Sequence, residues 1–249
     1  MGNYLRQVVV LCDVRRKFWL MAASALAPLS LGVSEPALAQ TFTTTGNDYP
    51  GGINVSTNQT PINVTLDPGV QVFIPANTIN NAVGLSSTTV AGTGGPIELI
   101  ANNAAISINT AGISTQETSA IRLQAAGNAT IGTLASPVSG IINVTGTVST
   151  NAIWANVFSS VPGAVASVTY NGPATGPGIT ATGGSNSTLI QACANDGCGF
   201  GNIVDGNAII NAAGNLTGVF GNSGFGLDAV AGGNGTATVN YNGGTFNLT

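Results

Sequence analysis

Histidine is absent from the 249 residues, and lysine and arginine together number only five. Four of these, Arg6, Arg15, Arg16 and Lys17, crowd the amino terminus, so Arg122 is the one cation beyond it. Nucleic-acid binding needs many basic side chains to displace counterions from phosphates, and that class is excluded. Attachment to anionic lipid through basic patches fails for the same reason. A serine nucleophile has no imidazole partner. With no histidine and no second cysteine pair, a zinc site is not expected. The glycines of "AGGNGTAT" (231–238) lack the aspartate of a calcium-binding nonapeptide, and "GFGNIVDG" (199–206) lacks the glycine spacing of a dinucleotide site. No cofactor or metal is expected. Helix is scarce as well, because beyond the amino-terminal region no stretch keeps a helical period for three turns.

What is present is apolar and small. Hydrophobic residues make up 43% of the chain, too many for a solvated disordered polymer, and 35 glycines divide them into short runs. The basic amino terminus precedes "FWLMAASALAPLSLGV" (18–33) and then "SEPALAQ" (34–40). A basic region, a short apolar core containing Pro28, and Ala37-Leu38-Ala39 as an A-x-A site describe a secretory signal peptide cleaved before Gln40. A membrane anchor is the alternative, but the run is short for a span, and no transmembrane helix is expected in the mature chain. Cleavage would leave Arg122 against Asp48, Asp67, Glu98, Glu117, Asp196, Asp205 and Asp228, a net charge of −6.

From Pro61 the text alternates with period two. "PINVTLDPG" sets Ile62, Val64 and Leu66 on one face before a turn; "VQVFIP", "PIELIA" and "AAISINTAG" follow. Beyond residue 120 the chain repeats itself. "AIRLQA", "AIWANV", "LIQACA" and "GLDAVA" begin at 120, 152, 189 and 226, intervals of 32, 37 and 37. After each come a variable Gly-rich loop and a second strand: "NATIGT", "AVASVTYNG", "NAIINAAGN" and "TATVNYNG". "AVASVTYNGP" (164–173) and "GTATVNYNGG" (235–244) are nearly one phrase, displaced by 71 residues from Tyr170 to Tyr241. Such a period predicts an all-β fold, a right-handed parallel β-helix in which stacked coils bury a continuous apolar row. Asn and Thr would form ladders between coils. An immunoglobulin-like sandwich is the alternative, and it predicts hairpins in place of the period. The expected organisation is a signal peptide (1–39), an N-terminal cap with the first solenoid strands (40–110), and a repetitive solenoid (111–249) left open at its C-terminal end, where no polar cap is visible in the sequence.

Candidate chemistry is sparse. Cys193 and Cys198, a C-x₄-C pair in an exported chain, are expected to form a disulfide, with free thiols the alternative. Arg122, between Ile121 and Leu123, is expected to face outward into solvent. Asp196, Asp205 and Asp228 are the carboxylates a glycosidase would have to bring together, yet the first two precede glycine, where aspartate serves turns. Asn128, Asn143, Asn215 and Asn234 head glycosylation-like triplets that this composition produces by chance. Trp154 and Tyr170 are read as cross-strand packing or as contacts for a ligand.

The "ALAQ" ending, "VTYNGP", "GNAIINAAGN" and "GLDAVAGGNGTATVNYNGG" resemble the amino-terminal part of bacterial autotransporter passengers in the style of rhizobial and other alphaproteobacterial members. The resemblance spans essentially all of the mature chain. It implies a β-helix exported by the general secretory pathway and displayed at the cell surface or outer membrane by a C-terminal β-barrel translocator, which this sequence lacks; without it the product would be periplasmic. The expected function is non-enzymatic, a stalk or adhesin whose partner is a host or cell-surface glycan or protein. The alternatives are a polysaccharide-processing β-helix, lyase or glycosidase, and a truncated product without activity.

Overall fold

Alternation of apolar and polar residues becomes alternation of burial in Ile62–Leu66 and Asn207–Ala213, whereas Thr150–Val157 is buried along its whole length. In Ile62–Leu66, Ile62, Val64 and Leu66 are buried while Asn63 and Thr65 are half-buried. The computed structural model describes residues 40–44, 48–57, 61–74, 82–87, 97–101, 105–109, 117–158, 162–173, 175–194, 198 and 205–249. The signal-peptide residues, Ala37 and Ala39 among them, lie outside the described residues, as does Asp196.

The strands follow one another in threes. The first coil is β1 (Gln40–Thr43), β2 (Tyr49–Pro50) and β3 (Ile53–Thr57); the second is β4 (Ile62–Leu66), β5 (Gln71–Ile74) and β6 (Val83–Ser87). Next come β7 (Ile97–Ala101), β8 (Ala105–Asn109) and β9 (Thr118–Ala125), then β10 (Ala129–Ile131), β11 (Ile142–Thr145) and β12 (Thr150–Val157). The fifth coil is β13 (Val165–Asn171), β14 (Ile179–Gly183) and β15 (Thr188–Ala194). The sixth is β16 (Asn207–Ala213), β17 (Leu216–Phe220) and β18 (Phe225–Ala231), and β19 (Ala237–Tyr241) and β20 (Phe246–Leu248) begin a seventh.

Each strand pairs with the strand three before it and the strand three after it. Three sheets result: β1-β4-β7-β10-β13-β16-β19, β2-β5-β8-β11-β14-β17-β20 and β3-β6-β9-β12-β15-β18. Every strand pair among the described residues is parallel. That excludes the hairpin-built sandwich and makes the fold an all-β parallel β-helix. The strands on either side of residue 110 belong to the same sheets, since β8 pairs with β11. The four phrases starting at 120, 152, 189 and 226 lie in β9, β12, β15 and β18 of the third sheet, and their second strands are β10, β13, β16 and β19 of the first. Beyond residue 120 one coil therefore carries three strands where the sequence pattern marks two; the short β11, β14 and β17 are the additions.

Stacking puts like on like. The inward column of the first sheet runs Val64, Leu99, Ile131, Val168, Ile210, Val239, and that of the third runs Ile53, Val83, Ile121, Ile153, Ile190, Leu227. Each aliphatic side chain buried here is worth roughly 2 kcal/mol in apolar area. Polar residues at the corners serve the backbone of the next coil. Asn128 Oδ1 accepts the Val165 N–H at 2.9 Å, and Asn215 Oδ1 accepts the Thr245 N–H at 2.8 Å. Asn240 Nδ2 donates to Asn211 Oδ1 at 2.9 Å, one rung of an amide ladder.

Candidate functional site

The outer face of the third sheet collects the side chains that composition made scarce. Parallel register aligns Asn54, Gly84, Arg122, Trp154, Gln191 and Asp228 in a single outward column, one residue per coil. A strand alternates faces, so with Ile121 and Leu123 in the core Arg122 must point outward. It is half-buried all the same, which departs from a freely solvated arginine. Its guanidinium carbon lies 4.2 Å from the centroid of the Trp154 ring, a cation–π stack. Trp154 is only 4% exposed. Burial pushes the Arg122 pKa below its ordinary value, and the negative charge of Glu117 works in the opposite direction. Glu117 is itself engaged: its Oε1 accepts a hydrogen bond of 2.9 Å from Asn151 Nδ2.

Several buried polar atoms of β9 and β12, two of them in the stack itself, have no partner. Arg122 Nε, Trp154 Nε1, Ser119 Oγ and both amide atoms of Asn156 are buried and form no hydrogen bond. Further along the column, Gln191 Nε2 donates to Asp228 Oδ2 at 2.7 Å. On the other side of Arg122 the column is interrupted by Gly84, and a recess of about 170 Å³ opens there. It is lined by residues 54–56 and 84–86, Val55 and Leu85 among them, together with Arg122 and Gln124. The recess is smaller than the roughly 300–1,000 Å³ of pockets for drug-sized ligands, so it matches one small polar group or ring.

The remaining candidates have local roles. Cys193 and Cys198 are joined by a disulfide with Cα atoms 6.4 Å apart, at the end of β15. Gln40 is the first residue of β1, paired with Ile62. Asp205 sits in a turn at φ 60° and accepts the Asn234 N–H at 2.7 Å, whereas Asp228 lies in the third sheet bonded to Gln191. Tyr170 is 1% exposed and donates its hydroxyl to the Gly140 carbonyl at 2.8 Å, which makes it packing. Among the described residues no group of three or more Cys, Asp or Glu could hold a metal ion.

The outward column was already present in the aligned phrases, whose third letters are Arg122, Trp154, Gln191 and Asp228. Read one at a time, these residues give no signal. Gly84 and its neighbours lie in the loosely patterned 77–95, where no repeat could align them. The chain matches no protein-family model, and neither characterised proteins nor solved structures include a match to it, so a function has to be argued from this geometry alone.

Proposed function

We propose that this chain is the amino-terminal part of an exported, non-enzymatic β-helical passenger of the autotransporter type, serving as a stalk or adhesin. The observation that carries the reading is the in-register stacking of coils, with variable side chains confined to outward columns. Among the described residues the interior of the coils is filled with aliphatic side chains, and the stacked strands offer a surface on which ligand-contacting residues sit at fixed spacing. The Arg122–Trp154 column on the third sheet is the surface with the most contact chemistry. Export is supported by the basic, apolar and A-x-A pattern of 1–39, and cleavage before Gln40 leaves β1 whole.

A polysaccharide-cleaving activity is the second reading. It requires a pair of carboxylates flanking one bond. Asp205 and Asp228 are instead each bonded to a neighbour, in a turn and on the third sheet, which favours the scaffold.

The test is fractionation of source cells with antibody raised against residues 100–249, together with amino-terminal sequencing of the captured protein. The expected result is a species beginning at Gln40 that is removed by protease added to intact cells. A cytoplasmic species that keeps residues 1–39 would overturn the reading.

A further inference from the structure

We propose that the recess above Gly84 is a binding site for a carboxylate-bearing sugar, a uronate unit of an acidic polysaccharide, with Arg122 holding the carboxylate. The choice of a polysaccharide source rests on the surface-passenger reading; the carboxylate and hydroxyl chemistry rests on the recess alone.

The reasoning begins with charge. Arg122 is the only basic residue after the signal peptide, and no carboxylate lies within ion-pair distance of it among the described residues. A half-buried guanidinium has lost part of its hydration; its Nε is buried without an acceptor, so an anion would have to meet the terminal N–H groups. Stacking on Trp154 at 4.2 Å holds it partly in place, so little side-chain freedom remains to be lost when an anion arrives. A planar guanidinium presents paired N–H groups that match a carboxylate and form charge-assisted bonds stronger than neutral ones.

The recess supplies the rest. Ser56, Ser86 and Gln124 give it neutral donors and acceptors, the complement of sugar hydroxyls. Gly84 occupies the outward position next to Arg122 in the column and carries no side chain, so the space beside the cation is open. The lining argues against a phosphate dianion, because it provides one cation and no cluster of further positive groups. A single carboxylate balances a single guanidinium. Glu117, whose charge is felt by Arg122, would repel a more highly charged ligand more strongly.

The experiment titrates the full chain with trigalacturonate, with maltotriose as the neutral counterpart and with free glucuronate, followed by calorimetry. Saturable binding of trigalacturonate is expected, with glucuronate weaker and maltotriose giving no signal. Arg122→Gln should weaken trigalacturonate binding about ten- to a hundredfold, the weight of a charged hydrogen bond. Arg122→Lys keeps the charge but loses the planar pairing, and should fall between. Gly84→Val leaves Arg122 and Trp154 intact, is a residue strands accept readily, and fills the recess; it should abolish binding while the circular dichroism spectrum is unchanged. The proposal is overturned if trigalacturonate fails to bind the folded wild-type chain, if maltotriose binds equally well, or if both Gly84→Val and Arg122→Gln bind like wild type. Any of these results would leave the protease experiment on intact cells standing, and a cytoplasmic location would leave a positive titration standing.

Discussion

Tyr170 shows what a single residue decides. It and Tyr241 occupy the same column of the first sheet, in β13 and β19, with Ala212 of β16 between them. Each reaches back to a glycine carbonyl of the preceding coil, Tyr170 to Gly140 and Tyr241 to Gly214, both at 2.8 Å. The repeated phrase marks this interaction, and the small residue in the intervening coil leaves room for the rings. Tyr170→Phe should cost about 1–2 kcal/mol, because the buried Gly140 carbonyl loses its donor. Burial pushes the phenol pKa of Tyr170 up. Its protonated form thus contributes stability that is complete below the unfolded value, about 10, and is lost as pH rises toward the folded one. Urea melts at about pH 8 and about pH 11 should show a smaller alkaline loss in Tyr170→Phe than in wild type. Equal losses would mean that the phenol does not titrate differently in the two states. Gly132 is the backbone counterpart: at φ 66° it turns the chain where an added Cβ would meet the Thr169 carbonyl and the Val138 nitrogen. The period pointed to Tyr170 as repeated, but the hydroxyl's acceptor lies 30 residues away in sequence and only folding joins them.

Among the elements, the strands of the first and third sheets beyond residue 120 were legible, as were β5 and β8 of the second, while β11, β14 and β17 were not. β10, β13 and β16, like β9, β12 and β15, carry alternating aliphatics that recur at the coil period. β11, β14 and β17 are INVT, ITATG and LTGVF, short and rich in threonine and glycine, so they read as connections between better-marked strands. Their pairing is decided by the coil above and below: Ile142, Ile179 and Leu216 form one inward column. The disulfide acts at this scale too. It closes a small loop between Cys193 and Cys198, five positions apart, where β15 leaves the coil. Replacing both cysteines by alanine should lower stability by about 2 kcal/mol on the chain-entropy account. Coil stability is local, so amide exchange should accelerate in β15 and β16 while β3 and β6 keep their protection. Acceleration throughout the chain would contradict that locality.

At the scale of the whole molecule, each coil depends on its neighbours for burial. Val168 is fully buried with Ile131 before it and Ile210 after it in the column, while Val239, in β19, is 45% exposed and Phe246 of β20 is 40% exposed. The same substitution should therefore differ sharply along one column. Val168→Asp places an unpaired charge in the core and should cost about 4 kcal/mol or more, whereas Val239→Asp should cost about 1 kcal/mol. Thermal melts of the two variants would measure this, and similar losses would refute the stacked-column account.

What the sequence determined by itself is the repeating part of the architecture. The period, the alternation and the scarcity of large or charged residues suffice to specify stacked parallel strands, because burying a row of small aliphatics needs only that equivalent positions repeat. The same text already narrowed the chemistry to one arginine. What only the tertiary structure decided is which residues meet across coils: the third strand of each turn, the Tyr170–Gly140 bond, the Arg122 stack on Trp154 and the recess over Gly84. The physical reason is the same for all four. Each depends on register between segments about one coil apart, which is set by the lengths of intervening loops that no local pattern encodes.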